Sequence, residues 1–257
     1  MADRLGRRTL LRASAGTLAV AALAGCDQLS QAPASRGILE RAEDLTHAVQ
    51  RLLIGDALAP EYSEADISPD FRANGTTDPE DEDYRALAAN QFADWRLQVG
   101  GLVEKPLTLS LADLKAMPAR TQITRHDCVE GWSSIGKWTG VPLAAVLDLA
   151  RPKTEARFVL LRCFDTMEKT ASGPIKYYET IALADARHPQ TILAYAMNGA
   201  ALPIPHGAPL RLRLERQLGY KMAKYIMAIE LVEGFGAIVG GKGGYWEDNG
   251  YEWYAGI

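Results

Sequence analysis

Between Trp95 and Val232 apolar residues repeat with two different periods, and the order in which those periods follow one another limits the fold. Trp95, Leu97 and Val99 alternate as a strand, Gly100-Gly101 turns, and residues 107–109 extend again. Ser110 with Asp113 three positions later forms a capping box, opening a short helix that Pro118 follows. Residues 122–124 are strand-like, and residues 141–150 read as a helix with Pro142 in its first turn. Residues 158–163 form a continuous apolar run of the buried-strand kind, and residues 183–197 read as mainly helical around Pro189. Leu210, Leu212 and Leu214 alternate, and residues 225–232 form a further apolar strand. Helices do not fall regularly between strands, so an α+β domain with mixed sheets and short helices is predicted over a strict βαβ array. No internal repeat is visible.

The N-terminus concerns location rather than fold. Arg7-Arg8 precedes two leucines, and residues 13–25 are uncharged, small and apolar. That run falls short of the ~20 residues a membrane-spanning helix needs. It reads as a twin-arginine export signal, the type used for proteins that fold before transport. Leu23-Ala24-Gly25-Cys26 resembles a lipobox, in which the cysteine is acylated, and Asp27 resembles a signal for retention at the inner membrane. The expected division is residues 1–25 as signal, 26–65 as anchor segment and 66–257 as the main domain with an aromatic tail. Within the anchor segment Ile38, Ala42, Leu45, Val49 and Leu52 recur at helical spacing, predicting a helix over residues 38–53. The place implied is the periplasmic face of the inner membrane, through lipid rather than a span.

Without residues 1–25 the chain loses four arginines and one aspartate, leaving 24 basic against 31 acidic residues and a net charge of −7. That balance argues against a nucleic-acid partner. The acidic stretch from Asp78 to Asp83 reads as solvated surface. With Cys26 committed to lipid, only Cys128 and Cys163 remain, with neither a haem-attachment motif nor a zinc-like cluster. One disulfide between those two is possible in an oxidising compartment.

Cys128 sits in Arg125-His126-Asp127-Cys128-Val129-Glu130-Gly131-Trp132-Ser133, entering a loop after a strand. Neighbouring basic residues favour a thiolate, which either ligates metal or attacks electrophiles. His126 and Asp127 permit a cysteine-hydrolase reading, although adjacent residues on extended chain point to opposite faces. A buried structural cysteine is the third possibility. A second cluster joins Asn198-Gly199, His206-Gly207-Ala208-Pro209-Leu210-Arg211 and Gly219-Tyr220-Lys221. Glycine admits close backbone approach and Arg and Lys complement phosphate, so this cluster suits a flat, anionic, hydrogen-bonding cofactor.

The order of Trp95-x-Leu97-x-Val99-x-Gly101, residues 128–133, Trp138-Thr-Gly-Val-Pro-Leu143, residues 193–199, residues 206–211 and residues 219–221 resembles the molybdopterin-binding domain of the sulfite oxidase family. The likeness covers about residues 66–235 and leans toward the bacterial branch containing the periplasmic protein-methionine-sulfoxide reductases. It implies a molybdenum–molybdopterin cofactor with Cys128 as metal ligand and catalytic centre. Arg211 is implied as the phosphate-holding arginine, and Gly219, Tyr220 and Lys221 as a cofactor-contacting triplet. His206 stands where that branch has Asn and much of the family has His. Cys163 stands where it has a cofactor-contacting Thr, and Asn74 matches an N-terminal cofactor-binding asparagine. His126, His188, Trp132 and Lys137 are further pocket candidates.

Two departures shape the expected activity. The arginines that follow the ligand cysteine in animal and plant sulfite oxidases are replaced by Val129-Glu130-Gly131-Trp132, removing cationic clamps for sulfite. The sequence also stops soon after the cofactor domain, so no C-terminal immunoglobulin-like domain is expected, and a monomer or a complex with another chain is implied. The resemblance points to oxygen-atom transfer that reduces a sulfoxide or related S- or N-oxide. Electrons would come from a membrane cytochrome or quinone-linked partner. Sulfite oxidation and a non-catalytic pterin-binding lipoprotein are the alternatives.

Overall fold

The computed structural model describes residue 55 and residues 57–257; the export signal, Cys26 and the helix expected over 38–53 lie outside the described residues. The elements run α1 (Glu82–Ala89), β1 (Arg96–Gly101), β2 (Leu107–Ser110), α2 (Leu111–Ala116), β3 (Arg120–Asp127), β4 (Ser133–Pro142), α3 (Leu143–Ala150) and β5 (Phe158–Thr170). They continue with β6 (Gly173–Ala182), α4 (Leu183–Ala186), β7 (Ile192–Met197), β8 (Ala200–Ala201), β9 (Arg211–Arg213), β10 (Ile226–Val232) and α5 (Tyr245–Asp248). The first sheet has the order β2-β1-β10-β5-β6, and the second β3-β4-β7-β8 with β9 also on β7. β1 and β10 run parallel while the other named pairs are antiparallel, giving the mixed sheets expected of an α+β domain.

Side-chain alternation divides the interior. Leu97, Val99, Leu160, Ile229 and Leu231 join one core with Val146 and Leu147 of α3. Trp95 anchors its edge, fully buried with its indole N–H on the Ile226 carbonyl at 3.2 Å. Along β7, Leu193 enters this core while Ile192, Ala194 and Met197 pack with Phe71 and Trp138 in a second cluster. A strand covered on both faces thus belongs to two clusters, alternating over 192–194 and changing side at Met197 beyond the register shift against β4.

Several expected elements shift. The strand placed at 122–124 extends over Arg120–Asp127. Val141 and Pro142 end β4, and the helix begins at Leu143. Val141 pairs with Leu193 in the ladder, which overrides the proline-at-first-turn pattern. Only Leu183–Ala186 of the region 183–197 is helical, because residues 192–197 are taken up as β7 between β4 and β9. β6, whose inner half is buried throughout, lacks the alternation that marks a half-buried strand. The stretch before residue 66 also makes contacts with the second sheet. Ala59 exchanges hydrogen bonds with Gln190, and Glu61 bridges to Thr124, tying that stretch to the second sheet. Among the described residues no helix is long and apolar enough to cross a membrane.

Candidate active site

Asp127 and Ser133 pair across the β3–β4 ladder, so residues 128–132 must reverse the chain between them. Cys128 N–H donates to Trp132 O (2.9 Å) and Gly131 N–H to Cys128 O (3.0 Å), with Gly131 at φ +85°. The thiol is buried at the end of the ladder and accepts from Asn74 Nδ2 at 3.3 Å. Burial pushes this thiol up, against a backbone hydrogen bond at Glu130 and the Asn74 amide. A bound cation would supply the charge that keeps such a thiol ionised, and soft metals suit sulfur. Asn74 therefore does come to the cysteine, across 54 positions of sequence.

Arg211 follows from strand alternation. Leu210, Leu212 and Leu214 face the core, while Arg211 and Arg213 lie on the opposite side with guanidinium carbons 4.9 and 4.4 Å from the Trp138 ring centre. Arg213 is neutralised by Glu215 through two hydrogen bonds of 2.9 and 2.6 Å. Arg211 instead bonds the His206 carbonyl at 3.0 Å and leaves its Nε without a partner. Burial, then Arg213, pulls the Arg211 guanidinium down to about 9. Lys224 has the same character: its ammonium donates to the carbonyls of Asn74 (2.7 Å), Thr76 and Pro205 (3.2 Å). Burial, then Arg211, lowers it to about 7. Two cations held by neutral carbonyls, Arg211 buried and Lys224 half-buried, beside an unused N–H, form a site suited to an anion.

Both cations line one cavity with Asn74, Gly75, Asp165, Tyr177, Gly219, Tyr220, Met222 and Ala223. A larger groove beside it is lined by Asp78, Glu80, Asp81 and Glu168, and that acidic wall is unsuited to phosphate. Gly219 is obligatory for a steric reason, since a Cβ there would lie 2.4 Å from His126 Nε2. His126 Nδ1 lies 3.1 Å from Arg213 Nη1, and burial and Arg213 hold the ring neutral, far below its usual range. An Nδ1 lone pair engaged by Arg213, with Nε2 turned to Gly219, leaves no base for a Cys128–His126 hydrolase pair.

Other expected residues fall elsewhere. Lys221 is fully buried between Glu179 (2.5 Å) and Glu247 (2.6 Å), so its ammonium is committed; Lys224, three residues on, lines the cavity in its place. Cys163 is wholly inside the first core, where burial drives its thiol well up. Both cysteines are free thiols, so the disulfide considered from sequence does not form. Asp165, two residues after Cys163, supplies the side chain at the cavity; burial raises it to about 6 and its Oδ1 is unpartnered. His206 contributes its carbonyl to Arg211 and its ring to Phe71, and burial lowers it to about 4. Trp132 is held by Glu130 and lies under Arg72; Lys137 pairs with Glu64; His188 Nδ1 accepts from Gln190 N–H. Lys224 and Asp165 were missed because Lys and Asp at those positions match no local motif.

Residues 85–234 match the family described as oxidoreductase molybdopterin binding domain. The chain belongs to that family, and it is a molybdopterin-dependent oxidoreductase of sulfite oxidase type. It is 36% identical over 97% of its length to a protein of Azospira oryzae provisionally named protein-methionine-sulfoxide reductase subunit YedZ1, spanning 87% of that protein. It is 35% identical, over 58% of its length, to the protein-methionine-sulfoxide reductase catalytic subunit MsrP of Campylobacter jejuni. It is 37% identical, over 61%, to MsrP of Xanthomonas axonopodis. It spans 52% and 49% of those two MsrP proteins, about half their length. The residues fit the family's cofactor: the unused Arg211 Nε and the carbonyl-held Lys224 suit its phosphate, and Cys128 suits its metal.

Proposed function

We propose that this protein is an exported oxidoreductase that reduces a sulfoxide or related S- or N-oxide with electrons from a membrane partner. The observation that carries the reading is a cavity lined by two cations held on carbonyls, Arg211 and Lys224, and by Asn74, whose amide binds the buried Cys128 thiol. Cys128 would hold molybdenum, Arg211 and Lys224 the pterin phosphate, and Asn74 would orient the sulfur. When bound, the group supplies two-electron oxygen-atom transfer; the chain positions it and excludes water. His206, Gly219 and Tyr220 stay in this proposal as lining or supporting groups, and Cys163 only through the strand that carries Asp165.

The electrostatics around Cys128 favour a neutral oxide over sulfite. Arg72 lies 3.9 Å from Glu130, and Arg125 is bound to Asp127 at 2.9 Å, so both nearby arginines are already engaged by carboxylates. The relatives named as sulfoxide reductases point the same way. Purified holoenzyme with a reduced dye should turn over methionine sulfoxide, free or within a polypeptide, faster than it oxidises sulfite with an oxidised dye. Sulfite turnover without sulfoxide turnover would refute the reading.

Export by the twin-arginine route and lipid attachment at Cys26 belong to the same proposal, supported by the residue pattern at 7–26. Cys26→Ser should leave folded protein exported yet recovered in the soluble periplasmic fraction. Unchanged membrane fractionation of that variant would reject the anchor.

A further inference from the structure

Glu179, Lys221 and Glu247 bring two carboxyl groups onto one ammonium, and all three side chains are essentially inaccessible to solvent. Gly244 makes this possible: a Cβ there would stand 2.0 Å from Glu247 Oε2 and 2.8 Å from Glu179 Oε1. With both carboxyls ionised the cluster would carry an unbalanced negative charge away from water, a costly arrangement. One proton on the carboxyl pair makes the cluster neutral. Burial drives Glu179 well above the usual carboxylate range; Lys221 opposes the shift and Glu247, through its charge and a hydrogen bond, adds to it. Glu247 Oε2 has no other hydrogen-bond partner.

The cluster abuts the cofactor cavity through one residue. The Tyr177 hydroxyl lies 3.4 Å from Glu179 Oε2, donates also to the Tyr220 carbonyl, and belongs to a side chain lining the cavity. The other titratable groups facing Glu179 and Tyr177 are Cys163 and Asp165 of β5, Tyr220 beside Lys221, and Tyr245 of α5, whose ring meets that of Tyr177 and whose hydroxyl is bound to Glu168. Of these, Asp165 and Tyr220 also line the cavity, Asp165 on the strand next to that of Tyr177.

We propose that Glu179, Lys221 and Glu247 form a buried one-proton store that passes its proton to the cofactor cavity through the hydroxyl of Tyr177. The use of the proton rests on the oxide-reduction reading; its presence does not. Reduction of a sulfoxide breaks the S–O bond and gives a sulfide and water, taking up two electrons from the membrane donor and two protons. The store supplies one of those protons. Tyr177 gives its hydroxyl proton to the departing oxygen and regains one from the carboxyl pair, which solvent refills between turnovers. A triad that merely clamps α5 to the domain would need neither the extra proton nor Tyr177.

Infrared spectroscopy of purified protein, with or without cofactor, tests the store. At about pH 8, where Asp165 with its value near 6 is ionised, a carbonyl stretch of a protonated carboxyl group should appear and shift in D2O. Glu247→Gln and Glu179→Gln should each remove it, and Tyr177→Phe should keep it. Absence of the band in wild-type protein overturns the proposal even where a variant fails to fold. In the holoenzyme, Tyr177→Phe should lower kcat by roughly tenfold or more, within reach of the ~10²–10⁴-fold of direct proton transfer, and reduce the solvent isotope effect. Because the donating form is protonated, wild-type kcat should hold through neutrality and fall at higher pH as the raised Glu179 carboxyl loses its proton. Tyr177→Phe should lose that alkaline fall. An unchanged kcat, pH profile and isotope effect in Tyr177→Phe would overturn the route. Failure of wild-type sulfoxide turnover with the band intact would instead count against the oxide-reduction reading.

Discussion

Cys128→Ser is expected to abolish turnover while leaving most of the pterin in place. The cations that would hold the phosphate, Arg211 and Lys224, are held by the carbonyls of His206, Asn74, Thr76 and Pro205 rather than by the 128–132 turn, so that turn can lose its sulfur while their hydrogen bonds remain. A serine oxygen is a hard ligand in place of a soft thiolate. The loss should exceed about 100-fold, above the ~10–100-fold that outer-shell partners of a metal ligand typically carry. Pterin content, molybdenum content and the thiolate-to-metal absorption would be measured together. Normal turnover by Cys128→Ser would remove the central assignment.

Arg211→Ala should fail in the opposite way, losing the cofactor while the metal-ligating thiol remains. A hydrogen bond to a charged partner is worth ~1.5–3 kcal/mol, so cofactor retention should weaken roughly tenfold to a hundredfold. The apo protein should stay folded. Arg211 is a buried cation without a carboxylate of its own, and deleting an uncompensated charge does not leave one behind. Equal pterin content in wild type and Arg211→Ala after gel filtration would show that the phosphate is held elsewhere. A collapsed apo protein would show that the guanidinium over Trp138 is structural.

The contrast between Lys221 and Lys224 shows where sequence reading stops. Gly219-Tyr-Lys-Met-Ala-Lys224 offers two lysines three positions apart, and a local motif ranks the first of them. The choice is made by distant residues: Glu179 of β6 and Glu247 of α5 enclose Lys221, while the carbonyls of Asn74, Thr76 and Pro205 receive Lys224. The same holds at Cys163, whose side chain faces the core while Asp165 reaches the cavity. Both alternate with half-buried Phe164 on the buried side of β5, as period two requires, and only the surroundings assembled along that face put Asp165 at the cavity and Cys163 in the core.

Local physics was enough for the capped helix α2, the strands β1 and β10 and the turn that presents Cys128, because each is specified by residues within a few positions of one another. It was enough as well for Arg211, whose place follows from alternation with Leu210 and Leu212. The sequence by itself therefore determined the α+β class, and it singled out Cys128 and Arg211 as the residues proposed to hold the metal and the phosphate. Tertiary structure alone decided that 192–197 is a strand, that Asn74 meets Cys128, that Lys224 lines the cavity and that Lys221 is sealed with two carboxyls. Those outcomes depend on which distant partner desolvates and pairs a side chain, and strength of burial and pairing is a property of the assembled neighbourhood rather than of any local string.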